Sequence, residues 1–225
     1  MANYETIIPT YIPILQKTPL FGTIDPADYP ELLDFLQASV RRFRKGQMLV
    51  NLGDPFRHIG IVLEGTLEGS FENENFDQIN MNYFQKGALF GESLALANIE
   101  YSPIQLRALE DSLVLYLDPS VIYRTEAWDS LSKKTIIANL VRGLSLQNVF
   151  LNLKIRIHTQ KSIRDKVLIY LYSLPAGPDG WKTVPFSQTA LAEFLGVNRS
   201  ALARELTKMK ADGVLKTDRR RFLLL

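Results

Sequence analysis

Ser187-Gln188-Thr189-Ala190-Leu191-Ala192-Glu193-Phe194-Leu195-Gly196-Val197-Asn198-Arg199-Ser200-Ala201-Leu202-Ala203-Arg204-Glu205-Leu206 carries the spacing of two short helices joined by a tight turn. Leu191 and Leu195 stand four apart on one helical face, and Ala192 is small enough for a second helix to cross closely. Gly196 tolerates the left-handed backbone that ends a helix abruptly, so the first helix stops at Leu195. Asn198 is a favoured N-cap, and Leu202, Leu206 and Met209 form the buried stripe of a second helix. The opposite stripe holds Arg199, Ser200, Ala203, Arg204 and Thr207. These are two long cationic donors among small residues that let a helix sink into a DNA major groove.

An ordinary solvated basic helix would show the same amphipathicity. The short turn and the small outward residues argue against it, and so does the C-terminal stretch Gly213-Val214-Leu215-Lys216, Thr217-Asp218-Arg219-Arg220, Arg221-Phe222-Leu223-Leu224-Leu225. Two apolar runs around a charged turn form a hairpin that can lay Arg219 and Arg220 along a phosphate backbone, the wing of a winged helix. Arg199 and Arg204 are then expected at base edges or adjacent phosphates and Ser200 at a base or phosphate. Ser187 and Thr189 are expected at phosphates, at the start of the first helix.

The 225 residues suit two small domains better than one large one. The sequence reads as an N-terminal region over 1–128, a long helix over 129–159 and a DNA-binding domain over 160–225. Cysteine is absent, which excludes disulfides, cysteine-ligated clusters and thiol redox sensing. His58 and His158 lack partners at metal-ligand spacing and read as surface or packing residues, so no metal and no cofactor is expected. The segment Met1 to Gln16 has no basic n-region and is broken by Pro9 and Pro13, unlike a signal peptide. No apolar run approaches membrane-spanning length, and a cytoplasmic location is expected. From Thr159 onward twelve Lys or Arg face six Asp or Glu, a local balance of +6 in a chain of net +2. Only that third is drawn to phosphate, so the acidic remainder has another task.

Between Phe43 and Leu117 short apolar runs alternate with turn signals at Gly53-Asp54, Glu64-Gly65 and Lys86-Gly87. The runs Met48–Val50, Ile59–Leu63, Leu67–Phe71, Met81–Phe84 and Ser112–Leu117 read as strands of a small antiparallel roll or barrel. Ile24 to Leu36 reads as helical, with Leu32, Leu33 and Leu36 inward.

Here the chain resembles the Crp-Fnr (catabolite activator and fumarate-nitrate regulator) family of bacterial transcription regulators. The resemblance runs through Thr18-Pro19-Leu20-Phe21, Phe43-Arg44-Lys45-Gly46-Gln47, Gly53-Asp54-Pro55, Val62-Leu63-Glu64-Gly65 and Lys86-Gly87-Ala88-Leu89-Phe90-Gly91-Glu92, then the helix-turn-helix. It implies an α+β architecture: a cyclic-nucleotide-binding-type β-roll (jelly roll), a long dimerisation helix and a C-terminal winged helix-turn-helix. In nucleotide-binding relatives the Phe-Gly-Glu turn meets the cyclic phosphate and ribose, and an Arg-Ser pair about ten residues later neutralises the phosphate. Gly91 and Glu92 match that turn, but the later stretch reads Tyr101-Ser102-Pro103 and holds no cation, and Arg107 aligns elsewhere. Losing a charge-assisted pair costs about 1.5 to 3 kcal/mol, which disfavours cyclic AMP or GMP. A different small-molecule effector near Gly91, Glu92, Tyr101 and Ser102 is one reading; a purely structural turn at Phe90-Gly91-Glu92 is the other.

From Asp129 to Thr159 the only helix breaker is Gly143, so a helix of about 45 Å is expected. Ile137, Val141, Leu144, Asn148, Leu151, Ile155 and His158 recur at steps of four and three, a coiled-coil seam for a homodimer. A second stripe, Ile136, Leu140, Gln147, Phe150 and Ile157, is placed to pack on the roll. Asn148 in the seam favours a defined register. The resemblance also puts Gln147 and Asn148 where relatives touch the effector base. Ser162 to Leu174 reads as a further helix, with a hinge expected near Thr159 to Ser162.

The leading function is a homodimeric, sequence-specific regulator of double-stranded DNA with a near-palindromic site, controlled from the roll. The resemblance adds RNA polymerase as a partner. Ser200 stands where relatives commonly carry glutamate, so their target sequence does not transfer. The alternative is a ligand-binding module acting on a protein partner. An enzyme finds no support in any nucleophile, metal or acid–base constellation of the sequence.

Overall fold

The computed structural model describes residues 4–72, 78–123 and 130–225. They form two compact units, residues 1–144 and 145–225.

Eight strands lie among the described residues of the first unit: β1 (Ser39–Phe43), β2 (Met48–Val50), β3 (Ile59–Glu64), β4 (Leu67–Glu72), β5 (Gln78–Phe84), β6 (Leu89–Phe90), β7 (Gln105–Ala108) and β8 (Ser112–Leu117). They pair antiparallel in two four-stranded sheets, ordered β1-β8-β3-β6 and β2-β7-β4-β5. Except for the consecutive pair β4 and β5, strands of one sheet alternate along the chain with strands of the other, which is the roll expected from the turn spacing. The alternation of β8 shows how two cores share one strand. Leu113, Leu115 and Leu117 join a cluster with the helices, while Val114 and Tyr116 join the cluster of Val50, Phe56, Val62, Leu67, Phe90 and Leu106. Gly60 of β3 makes room for that cluster, because a Cβ there would fall 2.0 Å from the Phe90 ring.

Helix α1 (Tyr4–Leu15) runs through Pro9 and Pro13, where the sequence reading expected interruption. Burial of Ile8, Tyr11 and Leu15 along one face supplies the tertiary packing that overrides the two missing amide donors, and the Tyr11 hydroxyl donates to Glu64 of β3. A 3₁₀ turn (Pro26–Asp28) and α2 (Tyr29–Phe35) follow, with Leu32, Leu33 and Leu36 buried as expected. Helix α3 (Glu92–Leu96) is short.

Helix α4 (Leu131–His158) takes the place of the expected long helix; Asp129, its expected start, and the boundary at residue 128 lie outside the described residues. Its first part is fixed in the first unit. Ile136 and Leu140 are buried, the Ser132 hydroxyl donates to Asp28, Lys133 pairs with Glu31 at 3.2 Å, and Asn139 Nδ2 donates to the Leu20 carbonyl at 2.9 Å. The second stripe does not lie on the roll along its whole length. Ile157 is buried in the core of the second unit, and Gln147 and Phe150 are exposed. The stripe is continuous in sequence, yet residues on either side of Leu144 meet different cores.

In the second unit α5 (Ile163–Ser173), α6 (Gln188–Leu195) and α7 (Arg199–Ala211) pack around Val167, Leu171, Leu191, Leu195, Leu202, Leu206 and Met209. Strands β9 (Lys182–Thr183), β10 (Leu215–Asp218) and β11 (Arg221–Leu224) form a sheet in the order β10-β11-β9.

Candidate nucleic-acid interface

The two helices of the motif are set by their caps. Ser187 Oγ accepts from the Ala190 amide at 3.2 Å, Gly196 closes α6 with φ +63, and Asn198 Oδ1 accepts from the Ser200 amide at 2.9 Å. The Ser200 hydroxyl also donates to Asn198 Oδ1, at 2.7 Å, which leaves its oxygen lone pairs able to accept. Capping α6 leaves the Ser187 hydroxyl proton unused, and Thr189 is exposed beside it.

Charge is sorted across this unit. Arg164 of α5 bonds Glu205 at 2.9 Å and also pairs with Asp212, while Arg221 pairs with Asp179 and lies 5.2 Å from the Trp181 ring centre. The Asp179 carboxyl is held below its usual range, chiefly by the Trp181 amide. Three of the unit's acids are thereby engaged away from the outer face of α7. Arg199, Arg204, Lys208, Lys210, Arg219 and Arg220 are exposed, and no acidic partner for them is found among the described residues. Cations left without counter-ions are those available to exchange for the counterions of DNA.

The hairpin forms as expected, with Asp218 opposite Arg221 and Arg219-Arg220 at its tip. Arg219 has φ +52, a left-handed conformation that turn glycines adopt without cost. Between α7 and this wing runs a groove of about 290 Å³. Its apolar floor includes Leu191, Leu206 and Phe222, and its rim carries Gln188, Thr207, Lys210, Thr217, Arg219 and Arg220. The structure thus brings Arg219 and Arg220 together with Lys210, Thr217 and Gln188, which the sequence reading did not single out. Ala203, Thr207 and Lys210 stand at i, i+4 and i+7, so the spacing held the signal for Lys210.

In the first unit Gly91 has φ +80 and caps α3, and a Cβ on it would lie 2.0 Å from Phe56 Cε1. Glu92 is half-buried at the start of α3, and Tyr101 is exposed. Ser102 is buried with its hydroxyl donating to the Ile104 carbonyl at 2.6 Å, and its backbone bonds Gly53 and Asp54. That hydroxyl serves the loop it sits in. Arg107 bonds Glu68 at 2.6 Å. Between the sheets Phe90 contacts Phe56, Phe84 and Tyr116 at 6.2, 5.6 and 6.3 Å between ring centres. Gln147 and Asn148 are exposed on α4, and Asn148 Oδ1 accepts from Asn152 at 2.7 Å. His58 stands edge-on to Tyr116, and His158 lies against Gly196. Among the described residues no group of three or more His, Cys, Asp or Glu is placed to hold a metal, and no helix is long and apolar enough to cross a membrane.

Two family models match. The cyclic nucleotide-binding domain matches residues 40–125 and the Crp-like helix-turn-helix domain residues 165–225, well over half of the chain together. The chain belongs to the Crp-Fnr family of transcription regulators. Among solved structures, this Crp-Fnr regulator is similar to a candidate cAMP-binding regulatory protein from Silicibacter pomeroyi DSS-3, with 20% identity, TM-score 0.52 and coverage of 96% of this chain and 94% of that one. The N-terminal domain of a transcriptional regulator from Streptomyces coelicolor A3(2) matches at 20% identity and TM-score 0.52, over 61% of this chain and 94% of that one. The sensor domain of the transcriptional regulator DNR from Pseudomonas aeruginosa matches at 15% identity and TM-score 0.51, over 71% and 97%. These likenesses show the fold. No curated protein matches the chain.

Proposed function

We infer that this Crp-Fnr regulator acts as a homodimer on a near-palindromic DNA site and answers to a small molecule other than an ordinary cyclic nucleotide. The observation that carries the DNA reading is the face of α7 and the tip of the wing, where Arg199, Arg204, Lys208, Lys210, Arg219 and Arg220 have no acidic partner among the described residues. Arg199 and Arg204 read base edges or the phosphates beside them, and Ser200 accepts from a base. Ser187, Thr189, Arg219, Arg220 and Lys210 hold the backbone. Exposed Val141, Leu151 and Ile155, at 58, 51 and 60% relative exposure on one face of α4 with Asn148 among them, support pairing of two copies along that helix. Two recognition helices related by a two-fold then meet successive major grooves, roughly 34 Å apart.

The effector reading rests on chemistry at the Gly91-Glu92 turn. No cation stands at residues 101–103, Arg107 is engaged by Glu68, and aromatic rings fill the space between the sheets. An anionic ring phosphate has no charge partner there; an uncharged or cationic metabolite meeting Glu92 and Tyr101 fits better. The reading implies a cytoplasmic regulator acting with RNA polymerase. Selection of bound duplexes from a random pool, with and without a metabolite extract, tests it. The expected product is a two-fold-symmetric motif whose enrichment depends on the extract, and a pool with no enriched motif in either arm would overturn it.

A further inference from the structure

We propose that α4 is articulated at Gly143, so that its C-terminal half moves as part of the DNA-binding body and the regulatory signal reaches DNA as a bend inside the helix. This deepens the reading of the chain as a regulator and rests on it.

Three observations converge. First, Gly143 sits inside a 28-residue helix, and a Cβ added to it meets nothing within 4 Å. No close approach within the chain requires glycine there, yet glycine in a helix interior weakens it by about 1 kcal/mol relative to alanine. Its remaining effect is to soften the helix locally. Second, the buried face changes across it. Ile136 and Leu140 are buried before Gly143 and Ile157 after it, with no buried residue from Val141 to Arg156. Leu140 and Ile157 point about 100° apart around the axis. The compact units also divide close to it, at Leu144 and Ser145.

Third, the end of α4 is built into the second unit. Phe150 and Phe194 of α6 lie 5.9 Å apart, and Lys154 Nζ stands 5.7 and 5.4 Å from those two ring centres. Phe194 in turn contacts Tyr170 of α5 at 5.0 Å and Phe186 at 5.2 Å. His158 crowds Gly196, so that a Cβ at 196 would fall 2.6 Å from the imidazole. The connector after the helix is also tied: the Thr159 and Gln160 amides donate to Ile155 and Ile157, and Ser162 caps α5 through Asp165. The expected hinge near Thr159 to Ser162 is therefore a poor place to bend, and the stretch around Gly143, where only Leu144 is partly buried, against the first core, a better one.

Spin-label distances in the full-length protein test this. The chain has no native cysteine, so pairs at Lys134→Cys with Arg156→Cys, and at Arg156→Cys with Tyr172→Cys, report on two segments, with labelled chains diluted into unlabelled ones. The first pair, across Gly143, should be broad and should narrow at least twofold in Gly143→Ala, which the open space allows to fold. The second pair, across residues 159–162, should be narrow in both proteins. A broad second pair, or a first pair equally narrow with and without Gly143→Ala, would overturn the proposal. These distances need no DNA, so they stand even if selection yields no motif. Where a motif is found, Gly143→Ala should bind it at least fivefold more weakly at unchanged helical content and oligomeric mass. Binding within twofold of wild type would refute the regulatory role of the bend.

Discussion

Lys210→Ala isolates the groove between α7 and the wing. The side chain stands on the rim with Arg219, Arg220 and Thr217, is exposed, and has no acidic partner among the described residues. Its removal should barely touch the fold. A lysine in the last turn of a helix contributes about 0.3 to 1 kcal/mol through the helix dipole, and alanine returns a few tenths through propensity. On DNA the effect is larger. Each neutralised phosphate adds about 0.9 to the slope of log affinity against log salt, so a dimer losing two such contacts should lose about 1.8. Referred to 1 M salt, where the counterion term vanishes, that amounts to roughly 2 kcal/mol, or about 30-fold, near 0.15 M salt. Fluorescence anisotropy on a selected site and a scrambled duplex, from 50 to 400 mM salt, measures both. The loss should be equal on the two duplexes and shrink as salt rises. A slope equal to wild type, or a loss confined to the selected site, would refute the assignment of the groove to the backbone. Arg204→Ala is the contrast, with loss concentrated on the selected site at about 1 to 3 kcal/mol per base contact.

Gly91→Ala should lower stability by about 3 kcal/mol in urea unfolding, since it combines a left-handed backbone with a Cβ 2.0 Å from Phe56 Cε1, each worth about 1 to 3 kcal/mol. An unchanged midpoint would mean the turn is not architectural. Leu151→Glu, on the exposed face of α4, should leave the circular dichroism of the chain intact and shift sedimentation from dimer to monomer at micromolar concentration; a dimer of undiminished affinity would place the contact elsewhere. Burial lowers the pKa of His58 beneath the ordinary 6.5, against an opposing pull from Asp118 and with help from Arg41. The unfolded chain then binds that proton more readily, so stability should fall as pH drops through and below about 6.5. His58→Gln should flatten that part of the pH profile, and an equal slope in both proteins would acquit the residue.

The helix-turn-helix was legible because its determinants are local: a cap at Asn198, a left-handed stop at Gly196 and a stripe of Leu202, Leu206 and Met209 all lie close together along the chain. Strands β3 and β8 were legible as apolar runs bounded by turn residues. Strand β1 was not, because Ser39–Phe43 carries Arg41 and Arg42 and is defined by pairing with β8, far later in the chain. Strand β7 offers only Leu106 and Ala108 as inward residues, too short an alternation to stand out. Periodicity in α4 told which residues share a face, but the partner of each face is a property of two separate cores. The groove with Lys210 and Thr217 escaped for the same reason, since α7 and the wing meet only after folding.

The left-handed arginine at the tip of the wing sets two selections against each other. Replacing Arg219 by glycine relieves a backbone cost of about 1 to 3 kcal/mol. Directed evolution for heat tolerance alone should therefore drift toward glycine or asparagine at this position, and operator occupancy should decay in the survivors. The same library sorted for promoter output should hold the arginine at the expense of melting temperature.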